Sequence, residues 1–119
     1  MKRTERHFLN DIMMSISKIE DYTEGMNLYE FIEDERTKDA VIRNLEVIGE
    51  AAKNLDERIH QQNPEIPWRK IIGLRNIILH AYFGIDWENI WKIIKEDIPG
   101  FRSDIEKIAH EHQQDGSDG

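Results

Sequence analysis

Apolar residues in this chain return at steps of three and four, and that rhythm limits what it can fold into more than any other feature. Val41, Leu45, Ile48, Ala52, Leu55 and Ile59 step 4-3-4-3-4, a heptad-like seam suited to near-antiparallel helix packing. Phe8, Ile12, Ile16, Ile19, Tyr22 and Met26 form an earlier stripe, and no strand-like alternation lasts beyond a few residues. At 119 residues the chain buries roughly two-thirds of its unfolded surface. One core without staples follows, consistent with a complete lack of cysteine. That lack excludes disulfides, thiolate metal sites and cysteine nucleophiles, and it suits a reducing cytosol. No apolar run approaches the ~20 residues of a membrane span, and the charged start, Met1 to His7, is not followed by a signal-type segment. A cytoplasmic protein with no membrane partner is expected.

The elements follow from the breaks. A first helix covers about Thr4 to Met26 and stops at Gly25-Met26-Asn27; Leu28 to Ile32 is a connector of about one turn. Asp34 caps the second helix, which carries the long seam through Ile59. Gly49, Ala51 and Ala52 sit within it, where small side chains let another helix come close. A Pro-bounded linker, 61–67, leads into a third helix from about Pro67 to His80. Ala81 to Ile85 reads as a turn, Asp86 caps a fourth helix, and Pro99-Gly100 breaks or kinks the chain before a last stripe of Phe101, Ile105 and Ile108. The expected fold is all-α, an antiparallel bundle of four to five helices over residues 1–111. Residues 112–119 are expected to be a disordered polar tail.

Charge is unevenly spread. Sixteen Lys and Arg against twenty-four Asp and Glu give −8, which argues against loose electrostatic binding to nucleic acid. Yet the twenty residues between Glu65 and Asp86 contain no carboxylate, whereas the next such gap, between Asp11 and Glu20, is eight long. The window carries Arg69, Lys70, Arg75 and His80, so one face of an acidic protein is expected to welcome anions.

Within that window Arg75, Asn76, His80 and Tyr82 crowd an otherwise apolar stretch. RNA cleavage without a metal uses such groups. A His takes the ribose 2′-OH proton or delivers one to the 5′-leaving oxygen; an Arg holds the phosphate and stabilises its transition-state charge. The nucleophile is the substrate's own 2′-hydroxyl. At roughly 100° per residue, Asn76 and His80 share a face, but Arg75 and His80 stand about 140° apart. A straight helix does not aim both at one point. An unwound turn near His80 and a second copy of the chain, in a twofold homodimer, would each bring them together. Singly, these residues have plainer readings: His80 as a satisfied structural histidine, Arg75 as an ion-pair partner, Tyr82 as an amphipathic rim residue. Glu50 and Asn44 are candidates for supporting the third helix by hydrogen bonds, or are simply an exposed polar face. Arg43 adds positive charge to a cleft or pairs with Glu46 or Glu50. His110 and His112 share no helix face and lack a third ligand, so no metal site is expected.

The spacing Arg75-x4-His80-x-Tyr82, together with 40–53 (AVIRNLEVIGEAAK), 66–76 (IPWRKIIGLRN) and 82–86 (YFGID), resembles the HepT-like toxins of the HEPN superfamily across about residues 4–110. The resemblance implies a ribonuclease with catalytic Arg75 and His80, supported by Asn76, with no cofactor and no metal. It further implies a homodimer whose motifs face one another across a cleft. The partner would be a minimal nucleotidyltransferase, the antitoxin of a type VII toxin–antitoxin system, which silences the toxin by adding AMP to Tyr82. A non-catalytic helical subunit of a nucleotidyltransferase complex is the alternative, and the net charge of −8 favours it.

Overall fold

The computed structural model describes residues 3–77 and 84–117. It is helical throughout, with no strand among the described residues. Helix α1 (Arg3–Thr23) packs chiefly along α3 (Glu35–Asn54). Leu9, Ile12, Ile16 and Ile19 from α1 meet Val41, Leu45, Ile48 and Ala52 from α3, all of them buried. The α1 stripe closes on Thr23, whose hydroxyl donates to the Ile19 carbonyl at 2.8 Å. Tyr22, expected in that stripe, is instead 41% exposed, because a step of four from Ile19 lands on Thr23. Gly25, at φ +76°, ends the helix in the left-handed region that favours glycine.

The connector is a helix of its own, α2 (Leu28–Glu33), started by a reciprocal capping box between Asn27 and Glu30. It drives Phe31 into the core, with its ring 5.1 Å from that of Trp91 and 6.0 Å from that of Trp87. Asp34 caps α3 as expected, its side chain accepting from the Thr37 N–H at 3.0 Å. That bond holds the Asp34 carboxyl below its ordinary value.

Two expectations are corrected. The seam is buried to Ile59, yet the helix carrying it breaks at Leu55. Asp56 caps a new helix, α4 (Glu57–Gln62), and its own N–H donates to the buried Glu5 carboxylate at 2.9 Å. A side-chain acceptor on each side of the break satisfies the freed backbone groups, which makes the break tolerable. Pro99-Gly100, expected to break or kink the chain, does not break it. Helix α6 (Trp87–Lys92) passes through a π-helical stretch (Ile93–Asp97) directly into α7 (Ile98–Ser117). Proline lacks an N–H and crowds the carbonyl four residues back; here that carbonyl belongs to Lys95, inside the wider π turn, so the helix absorbs the ring. Helix α7 also runs to Ser117, into the segment expected as a disordered tail. No proline or glycine interrupts 101–115. Arg102 ties α7 to α1 by bonding Glu20, with Glu106 completing the cluster. No helix among the described residues is long and apolar enough to cross a membrane.

Candidate active site

The third expected helix starts on schedule after Pro67 as α5 (Trp68–Gly73), then tightens to a 3₁₀ turn over Leu74–Asn76. A 3₁₀ turn has about three residues per turn, so positions i and i+3 eclipse. Leu74 and Ile77 are that pair, and both are buried. Arg75 and Asn76 take the two remaining faces: Arg75 is partly buried and Asn76 is exposed. The 100° arithmetic therefore does not hold through this turn. His80 and Tyr82 lie outside the described residues, as does the expected unwinding near His80.

Helix α3 forms the wall behind Arg75. A Cβ added to Gly49 would stand 2.5 Å from the Arg75 backbone nitrogen and 3.0 Å from the Ile72 carbonyl oxygen. Only a residue without a side chain admits that approach. One position along, Glu50 reaches the other end of the same arginine: Arg75 Nη1 donates to Glu50 Oε2 at 3.3 Å. The two side chains are 32% and 56% exposed, so the pair is open to water. The small residues of α3 thus do allow a close neighbour, and Glu50 does bond the segment carrying Arg75. Asn44 does not; buried on α3, it donates to Ala40 in its own helix at 2.8 Å.

The acid-free window is answered by acids from elsewhere. Lys70 pairs with Asp97 at 2.8 Å and Arg75 with Glu50, while Arg69 has no ion-pair partner among the described residues. The expected anion-friendly face is therefore partly neutralised by α3 and the π turn, a pairing that linear spacing does not reveal. Arg43 pairs with neither Glu46 nor Glu50. It stands instead between two grooves. One, of about 670 Å³, is lined by Asp39, Ile42, Glu46 and Trp87 and reaches Gly84 at the motif's exit. Partial burial there pushes the Glu46 carboxyl up from its ordinary value. The other, of about 560 Å³, runs between α1 and α3 past Met14, Lys18, Tyr22 and Val47.

Known proteins decide the family. The ribonuclease HepT-like family matches residues 12–108, a span that includes Gly49, Glu50, Arg75 and Asn76. The chain belongs to the HepT-like family. It is 44% identical over 108 residues to the "Probable ribonuclease HepT" of Thermococcus cleftensis, covering 91% of this chain and 98% of that one. It is 41% identical over 107 residues to the "Putative RNase MJ1380" of Methanocaldococcus jannaschii, covering 90% of this chain and 98% of that one. No solved structure matches. In this HepT-like chain the arginine of the motif is thus a surface group held from behind by one helix, with its neighbour Asn76 beside it in solvent.

Proposed function

We propose that this chain is a metal-independent RNA endonuclease, the toxin of a type VII toxin–antitoxin pair. The observation that carries the reading is Arg75: a half-exposed guanidinium on a rigid 3₁₀ turn, backed by Gly49. Arginine offers five N–H donors in a planar fork that matches phosphate oxygens. Among the described residues only Nη1 is engaged, and by a single carboxylate oxygen, which leaves the Nε and Nη2 donors for a substrate phosphate.

In the proposed reaction the 2′-hydroxyl attacks the adjacent phosphorus while the bond to the 5′-oxygen breaks. The 2′-OH proton leaves to a base, a proton is supplied to the 5′-oxygen, and a 2′,3′-cyclic phosphate remains. His80 is the acid–base group and Arg75 stabilises the charge on the phosphorane oxygens; Asn76 supports the site. Base and acid act at opposite ends of the phosphorane, and one motif supplies one histidine. A homodimer with facing motifs supplies two. Met14, Tyr22 and Val47, at 51%, 41% and 38% exposure, give that reading a surface: all three line the α1–α3 groove, beside the ridge that carries Glu50.

Silencing is proposed to occur at Tyr82. There the phenol oxygen, losing its proton, attacks the α-phosphorus of ATP held by a minimal nucleotidyltransferase. The α–β phosphoanhydride bond breaks, pyrophosphate leaves, and the AMP now on Tyr82 adds an anion that competes with RNA for Arg75. Incubation with the partner and ATP should add one AMP mass to the wild type and none to Tyr82→Phe. The second reading, a non-catalytic subunit, is favoured by the acid already on Arg75 and by the net charge of −8. RNA cleavage in EDTA separates the two. Activity lost with His80→Ala supports the enzyme, and a wild type without activity supports the subunit.

A further inference from the structure

We propose that Glu50 is a positioning residue for Arg75, a role that rests on the ribonuclease reading above. Two contacts from successive residues of α3 fix the arginine at both ends. At Gly49 the missing Cβ lets the Arg75 backbone nitrogen come within 2.5 Å of the point where a side-chain carbon would stand. At Glu50 the carboxylate accepts from Nη1 at 3.3 Å, bridging 25 residues of sequence. Backbone and guanidinium are therefore held by the same rigid helix, four χ angles apart.

Stability alone accounts poorly for the pair. Both side chains are substantially exposed, and exposed pairs of this kind add little. Geometry accounts for it better. A free arginine samples many rotamers, whereas a phosphate contact that must tighten in the transition state needs one. Glu50 takes only Nη1; Nη2 and Nε make no bond among the described residues. The carboxylate thus selects the orientation of the fork while leaving its Nε–Nη2 edge open to a bidentate contact. Neighbouring carboxylates do not substitute. Glu46, one turn earlier on α3, lines the separate groove toward Gly84 and Trp87, and Asp97 is taken by Lys70.

The test reads Arg75 directly and through turnover. Nitrogen NMR of the arginine side chains, with the Arg75 signals assigned by their loss in Arg75→Lys, should show restricted guanidinium rotation in the wild type. That restriction should vanish in Glu50→Ala and persist in Glu50→Asp or Glu50→Gln, which keep an acceptor oxygen. In RNA cleavage, Glu50→Ala should lower kcat by about 10- to 100-fold with KM little changed. Glu50→Gln should recover most of that loss. Adding Glu50→Ala to Arg75→Ala should cost nothing further, because the two act as a unit. Arg75 signals identical in wild type and Glu50→Ala would overturn the positioning role, even in an active enzyme. A wild type that holds Arg75 through Glu50 but cleaves no RNA would keep the contact and remove the ribonuclease reading.

Discussion

Helix α3 has two flanks, and they are built on opposite principles. On the flank facing α5 and the 3₁₀ turn, Gly49 brings two backbones together and Glu50 bonds across the junction. On the flank facing α1, Ser15 and Asn44 lie buried at the floor of a groove whose rim carries Met14, Tyr22 and Val47 in solvent. The first flank is closed at the level of the backbone and tolerates no added atom. The second leaves large apolar side chains uncovered. Close backbone packing is concentrated where Arg75 is proposed to be held in one orientation, and unburied apolar surface where a partner copy is proposed to dock.

The largest effects are expected at Arg75, which the closed flank presents, and at its motif partner His80. Arg75→Ala and His80→Ala should each lower RNA cleavage by about 10²-fold or more, from loss of phosphate stabilisation and of acid–base catalysis respectively. Single-turnover cleavage of an RNA oligonucleotide measures both, and near-wild-type rates would remove these residues from the chemistry. Next is Gly49→Ala. Its methyl would overlap the Arg75 nitrogen and the Ile72 oxygen, so α5 must retreat. Stability should fall by about 1–3 kcal/mol, in line with overpacking elsewhere, and cleavage should fall with it. Chemical denaturation alongside kinetics checks this, with Val47→Ala on the open flank as the near-neutral control. A Gly49→Ala protein as stable and active as wild type would erase the contrast between the flanks.

The open flank is sharpened by charge. Met14→Glu with Val47→Glu should leave the fold intact, since both side chains already face water, yet shift the proposed homodimer toward monomer by like-charge repulsion across the twofold. Light scattering at micromolar concentration reads the change. A wild-type monomer would show that the exposed apolar side chains serve something other than a second copy.

The smallest effect lies at the start of α3, away from both flanks. The Asp34 carboxyl is held below its ordinary 3.8 by its bond to the Thr37 N–H. Lowering in the folded state means that the cap stabilises above that ordinary value. The contribution fades as pH falls through the lowered folded value. Asp34→Ala should therefore lower Tm slightly at pH 7 and by less at pH 3, below the ordinary 3.8. Equal losses at both pH values would assign the effect to something other than the ionised cap.

Much of this architecture is legible in the sequence because it depends on local chemistry. Asp34 and Asp86 cap where their position before an apolar period places them, and Pro67 opens α5. The buried seam of α3 follows the 4-3-4 spacing residue by residue. The rest depends on partners distant in sequence or on backbone adjustments. Asp56 is one acid among twenty-four, and its N–H is met at the break by Glu5, 51 residues away in sequence. Pro99 reads as a break or a kink, and the helix runs on through it because of a π turn that has no compositional signature. The candidate site shows the same division. Arg75 and Asn76 stand out by residue type and spacing, and Glu50 was visible as a polar residue on the right helix. That Glu50 answers Arg75 while Asn44 bonds its own helix depends on the angle between α3 and the 3₁₀ turn, which periodicity does not carry.

The most direct measurement is cleavage of a defined RNA oligonucleotide in EDTA, with mass analysis of the product ends. The wild type should yield 2′,3′-cyclic phosphate and 5′-hydroxyl ends, with Arg75→Ala slower by about 10²-fold or more under the same conditions. Loss of activity in EDTA that returns with added divalent cation, or 5′-phosphate ends, would contradict a 2′-hydroxyl attack stabilised by Arg75.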